Sequence, residues 1–179
     1  TIPSSVASIS NSAFSDCNVL KLIEIPGSIE TLGADPFSGC FTLSKINVVG
    51  EGGNLKMIDG VLFFKEMTRL VWCSPEKSGN YLIPNTVKAI DSGAFSYCKK
   101  LTSITIPDSV TEIACWTFEG CFGLELVTIE GKLDVVMEKA FYKCTNLIRI
   151  NFDRIREIEK DAFQHTSICR EFNLQGMNL

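Results

Sequence analysis

Eight cysteines and a single histidine are the residues through which this 179-residue chain could do metal, redox or nucleophilic chemistry. Cys17, Cys40, Cys98, Cys121 and Cys144 each stand three residues after a phenylalanine. A zinc site wants pairs two to four residues apart that converge on one point. One cysteine per copy of a long period puts the sulfurs in a line instead. Copies about 5 Å apart leave a bridge geometrically open, yet a thiol in an apolar column behaves as a small hydrophobe. A buried thiol ladder with little or no disulfide is therefore expected. Cys73, Cys115 and Cys169 fall outside the column, and Cys169 takes a leucine position that belongs to the core.

A serine or cysteine nucleophile needs a base beside it. His165 sits in the least regular stretch and is expected to be satisfied or solvent-facing. Gly50-x-Gly52-Gly53 has neither the spacing nor the lysine of a phosphate loop. No pair of carboxylates recurs in an acid–base pattern, and Asp59 suits the turn before Gly60 better than a metal. The expectation is no enzyme, no metal and no cofactor.

What positions these residues is a repeat. Phe14, Phe37, Phe95, Phe118, Phe141 and Phe163 are separated by 23, 58, 23, 23 and 22 residues. Six residues after each comes Leu20, Leu43, Leu101, Leu124, Leu147 or Cys169. Nine and eleven residues after come Ile23/Ile25, Ile46/Val48, Ile104/Ile106, Val127/Ile129, Ile150/Phe152 and Phe172/Leu174. Eight and five residues before come twelve aliphatic side chains, from Val6/Ile9 to Ile155/Ile158. A fixed period of this kind decides the architecture before any local propensity does.

In Ile-x-Ile a polar residue separates two apolar ones, the period of a strand with one buried face. Pro26, Pro84 and Pro107 then end it, because proline cannot donate to a ladder. One coil cannot bury its own columns, but stacked coils bury each column against its copy, with parallel strands about 4.8 Å apart. The sequence thus predicts a β-rich α/β solenoid. It is a right-handed superhelix of about 23-residue coils with a parallel strand face, a single domain over residues 1–179.

Residues 49–83 break the rhythm: Ile83 follows Val48 by 35 residues, an excess of 12 over the period of 23. Two β-rich runs, Ile58 to Phe64 and Leu70 to Trp72, flank the polar Glu66-Met67-Thr68. They predict a hairpin that replaces one coil's return path.

Apolar residues make up 45% of the chain, enough for a large core. The net charge is −4, without a basic face, which argues against nucleic acid and anionic lipid as partners. No run approaches the roughly 18 apolar residues of a membrane span. Thr1-Ile2-Pro3-Ser4-Ser5 looks like the middle of a repeat, so the chain is expected to be an excerpt of a longer protein whose targeting signal lies elsewhere.

Leu101-Thr-Ser-Ile104-Thr-Ile106-Pro-Asp-Ser-Val110-Thr-Glu-Ile113, followed by Thr117-Phe118-Glu-Gly-Cys121, resembles the BspA-like leucine-rich repeats, as does the variant run Ile58-Asp-Gly-Val-Leu-Phe63. The resemblance covers nearly the whole chain; the last repeat departs from it, with Thr166 for cysteine and Cys169 for leucine. It implies a long surface or secreted protein of a host-associated anaerobic bacterium or parasitic protist. It also implies adhesion to host extracellular-matrix proteins or to other microbes.

The remaining candidate surface is the outward strand face, made of the polar positions between buried ones. Lys21, Glu24, Lys45, Asn47, Thr105, Thr128, Arg149 and Asn151 are its candidate ligand-binding residues, with Leu22, Leu82, Leu126 and Ile148 as apolar spots. The expected partner is a protein, bound by a monomer. Two other readings stay open: a structural spacer that binds nothing, and an intracellular interaction scaffold.

Overall fold

Each coil contributes two short apolar-patterned stretches, and each becomes a strand. The computed structural model describes residues 1–50 and 53–168. Along the chain run β1 (Ser8–Ile9), β2 (Leu22–Pro26), β3 (Thr31–Leu32), β4 (Lys45–Val49), β5 (Leu55–Ile58), β6 (Val61–Phe64), β7 (Arg69–Cys73) and β8 (Ser78–Leu82). Then follow β9 (Ala89–Ile90), β10 (Lys100–Ile106), β11 (Glu112–Ile113), β12 (Leu126–Ile129), β13 (Leu133–Val136), β14 (Arg149–Ile150) and β15 (Ile155–Ile158). The expected positions of Gly52, Cys169, Arg170, Phe172 and Leu174 lie outside the described residues.

Coils of equal length place equivalent residues side by side, so the strands pair in parallel and in register. On the strand face β2 meets β4, with Ile23 opposite Ile46 and Ile25 opposite Val48. Further on, β10 meets β12, with Ile104 opposite Val127 and Ile106 opposite Ile129. The four-stranded sheet runs β14-β12-β10-β8, and the lateral strands form β1-β3 and β11-β13-β15. Leu133 lies opposite Ile155, so the lost residue before Phe163 is absorbed in the preceding loop without disturbing the column. Helix is almost absent: among the described residues the return path is turns, with one 3-10 turn at Phe152–Arg154.

Two left-handed residues per coil make the return corners. Two before each phenylalanine stand Ser12, Asp35, Gly93, Trp116, Lys139 and Asp161; two after stand Asp16, Gly39, Tyr97, Gly120, Lys143 and His165, all with positive φ. Between the corners the phenylalanines point inward and stack. Ring centroids are 5.6 Å apart for Phe14–Phe37, 5.1 Å for Phe95–Phe118, 4.9 Å for Phe118–Phe141 and 5.0 Å for Phe141–Phe163. Phe95, Phe118 and Phe141 are wholly buried.

The variant region is more than the single hairpin expected. Asp59 (φ 46°) and Gly60 (φ 79°) form a tight turn between Ile58 and Val61, because two consecutive positive-φ residues match the twist of a two-residue hairpin. The run Ile58–Phe64 is therefore split, and β5, β6 and β7 make a three-stranded antiparallel meander. β7 then pairs in parallel with β9, Leu70 opposite Ile90, and the array resumes. Val61, Phe63, Leu70 and Cys73 enter the core shared with the later coils. Leu62, Phe64, Val71 and Trp72 enter the core of the first coils. β6 and β7 form a partition buried on both faces, which is why their sequences are apolar without alternation, while β5 lies at its partly exposed edge.

Candidate functional site

The strand face is a rigid platform because its other side is dry: Ile23, Ile25, Ile46, Ile104, Ile106, Val127 and Ile129 are all buried. Their polar neighbours point outward and repeat at the strand spacing. Lys21 and Lys45 are exposed and Glu24 and Asn47 half-buried. Glu24 lies opposite Asn47, and Lys45 opposite Leu22. Thr105 has Leu82 on one side and Thr128 on the other, and Arg149 lies opposite Leu126.

The eight candidate residues do not form one surface. Lys21, Glu24, Lys45 and Asn47 belong to the β2–β4 sheet; Thr105, Thr128 and Arg149 belong to the four-stranded one. Among the described residues no ladder joins β4 to β8, since the chain leaves β4 for the meander. Asn151 has a different job. Its Oδ1 accepts the Ile129 amide at 2.9 Å and its Nδ2 donates to the Ile129 carbonyl at 2.9 Å. That amide stands in for the ladder where β14 ends. Glu24 accepts a hydrogen bond from the Thr1 hydroxyl at 2.6 Å.

The cysteine column is a chain of thiols donating to phenylalanine carbonyls of the preceding coil: Cys40 to Phe14 at 2.8 Å, Cys121 to Phe95 at 3.0 Å and Cys144 to Phe118 at 3.0 Å. Cys73 joins the ladder although the spacing left it out: the Cys98 thiol lies 3.8 Å from its carbonyl oxygen. The meander's extra residues had hidden it. Burial and the neighbouring Cys144 push the Cys121 thiol well above its ordinary value, and the thiol–thiol contact with Cys73, then burial, does the same to Cys98. Such thiols are poor nucleophiles. Among the described residues no three His, Cys, Asp or Glu side chains gather as a metal site, and no helix is long and apolar enough to cross a membrane.

The sequence reading passed over a second group, on the turn face. Phe41, Tyr97, Trp116, Phe122, Tyr142 and His165 form ring pairs there at 4.9–6.3 Å. Lys99, Lys139 and Lys143 lie over Tyr97, Trp116 and Tyr142. His165 is an exposed corner residue whose ring meets Tyr142 edge-on. The available signal was the corner column itself, where Tyr97 and Trp116 stand at positions that hold mostly glycine, aspartate or lysine in other coils.

The family model for the BspA type leucine-rich repeat region matches residues 1–81 and 73–178, in six copies. A leucine-rich cell surface protein from Faecalibacterium prausnitzii is 28% identical, with a TM-score of 0.69, over 92% of this chain and 50% of that one. The pneumococcal vaccine antigen PcpA is 24% identical, with a TM-score of 0.73, over 87% of this chain and 39% of that one. A leucine-rich repeat protein from Eubacterium ventriosum is 23% identical, with a TM-score of 0.50, over 93% and 64%. The chain spans about half the length of the first of these. No curated protein matches. Six copies in register across nearly the whole sequence, folded as stacked coils, place the chain in the BspA-type leucine-rich repeat family.

Proposed function

We propose that this stretch is a non-catalytic protein-binding module of a cell-surface or secreted protein, and that it adheres to a host matrix protein or a microbial surface protein. The family generally serves protein interaction without catalysis, and the Faecalibacterium relative is described as a cell surface protein. The observation that carries the reading is the in-register strand face. Columns of Lys, Asn, Thr and Arg stand on a dry sheet that cannot rearrange, so little ordering entropy opposes docking. The exposed Leu22, Leu82 and Ile148 add apolar contact. The partner is met by a monomer, without nucleic acid, cofactor or membrane insertion of this segment.

One observation favours a spacer instead: the face is split at β4 into two smaller patches. Saturable binding of the purified repeats to an immobilised matrix protein or to whole microbial cells separates the two. Joint replacement of Lys45, Thr105, Thr128 and Arg149 by Asp should then weaken binding and leave melting unchanged. Unchanged binding refutes the face, and no saturable binding at all leaves the spacer.

A further inference from the structure

We infer that a notch on the turn face, opposite in character to the strand platform, is a subsite for a neutral sugar ring of a glycan. Its origin is a break in the backbone ladder of the return side. In ordinary coils the amides of the phenylalanine and of the residue two later donate to the next coil. Phe14 donates to Pro36 at 3.0 Å, Asp16 to Ser38 at 2.9 Å, Phe95 to Thr117 at 2.9 Å and Tyr97 to Glu119 at 2.7 Å. Between the coils of Phe37 and Phe95 the pattern is interrupted, because the Ala94 carbonyl is taken by the Cys73 amide of the meander at 2.7 Å. The two turns still touch, through the Ser92 amide on Asp35 Oδ1 at 2.8 Å and through Phe41 on Tyr97, but they do so without the ladder that closes the other junctions. Over the outer side of this junction lies a cavity of about 460 Å³, lined by Asp16, Ser38, Gly39, Phe41, Trp116 and Glu119 among others. That is within the size range of small-ligand sites, about 300–1,000 Å³.

The walls match a pyranose. Phe41, 45% exposed, and half-buried Trp116 present ring surface to which the C–H face of a sugar can stack. The Asp16 backbone is bonded, but its carboxylate, one oxygen of which lies against Gly39, has no ion pair or hydrogen bond among the described residues and can accept from sugar hydroxyls. The Ser38 hydroxyl is likewise unengaged among them. Glu119 stands beside Tyr97, whose hydroxyl donates to it at 3.4 Å and whose ring packs edge-on against Phe41 at 4.9 Å. The arrangement is held at a conformational cost. Trp116 and Tyr97 both adopt φ 60°, a region that bulky side chains avoid.

Charge selects the neutral ligand. The Lys139 ammonium lies 4.6 Å from the Trp116 ring centroid, and Lys143 and Lys139 both act on Glu119. Lys139 already occupies one side of Trp116, and with Lys143 it offsets Glu119, so a lysine or arginine from a partner gains little at that end of the notch. An anionic group would meet Asp16 and Glu119. A polyol without charge satisfies rings and carboxylates together.

The test is calorimetric titration of the purified chain with lactose, mannotriose, chitotriose and cellotetraose, and in parallel with tetralysine. At least one sugar should bind saturably. Asp16→Gly, which suits the positive φ, and Phe41→Ala, at an exposed ring, should each weaken that binding by about tenfold or more with melting temperature unchanged. The inference is overturned if none of the four sugars binds, if both variants bind the sugar as the parent does, or if tetralysine alone binds in an Asp16-dependent way. The strand face is untouched by either variant, so adhesion through it stands or falls separately.

Discussion

Arg69 grips Asp91 with two parallel bonds, Nε to Oδ1 at 2.6 Å and Nη2 to Oδ2 at 2.7 Å, and also donates to the carbonyls of Leu32 and Gly33 at 2.7 and 2.6 Å. One guanidinium thus ties the coils before the meander to the coil after it, where the lateral strands β3 and β9 share no ladder. The Asp91 side chain is 6% exposed, and burial raises its carboxyl above the ordinary value even against the pull of Arg69.

Breaking this pair on one side should be far worse than removing it whole. Arg69→Met leaves a buried carboxylate and should cost about 3–5 kcal/mol, whereas Arg69→Met with Asp91→Leu should recover most of the loss. Urea unfolding of the single and double variants decides. Equal losses in both would show that the bonds to Leu32 and Gly33 carry the junction instead.

Stability should also depend on each member of the aromatic column. Phe118 is fully buried between Phe95 and Phe141, so Phe118→Ala should cost about 3–5 kcal/mol. Because each coil contacts only its neighbours, amide exchange should quicken first in the two flanking coils. Uniform loss of protection from end to end would speak against local stacking.

The thiol ladder predicts a direction with pH. Folded Cys98 and Cys121 hold their protons above the ordinary 9.0, so the folded state binds more protons than the unfolded one in alkali. Their stabilising contribution is complete below about pH 9 and is lost as pH rises beyond it. Melting temperatures from pH 7 to 10.5 should fall at the alkaline end, and less in a Cys98→Ala/Cys121→Ala chain. At pH 8, iodoacetamide should modify partly exposed Cys17 and Cys115 well before these two.

Two glycines separate backbone conformation from crowding. A Cβ at Gly53 (φ 98°) would collide with the Gly27 carbonyl, whereas at Gly50 (φ 87°) it would meet open space. Gly50→Ala should cost only the left-handed penalty, about 1–2 kcal/mol, and Gly53→Ala clearly more, about 3 kcal/mol or above. Equal costs by thermal melting would place the Gly53 loop away from Gly27.

Most of the fold could be deduced because one rule repeats. The same aliphatic positions recur every 23 residues, so burial, strand register and phenylalanine stacking follow from one column each. Where the rule is suspended, inference weakened. Asp59-Gly60 splits what looked like one apolar run, since β6 is buried on both faces and no alternation marks the turn that precedes it. The strand face was chosen by periodicity alone, which cannot see that Asn151 spends its amide on Ile129 or that β4 and β8 part company. The turn-face notch arises from a hydrogen bond, Cys73 to Ala94, between residues 21 apart, and no column announces it.

Stacked coils with one inserted partition are tested most directly by aromatic NOEs in a chain with labelled phenylalanines. Cross-peaks should link Phe95 to Phe118, Phe118 to Phe141 and Phe141 to Phe163, and separately Phe14 to Phe37, with none joining Phe37 to Phe95. A direct Phe37–Phe95 cross-peak, or silence between Phe118 and Phe141, would contradict the architecture on which every other statement rests.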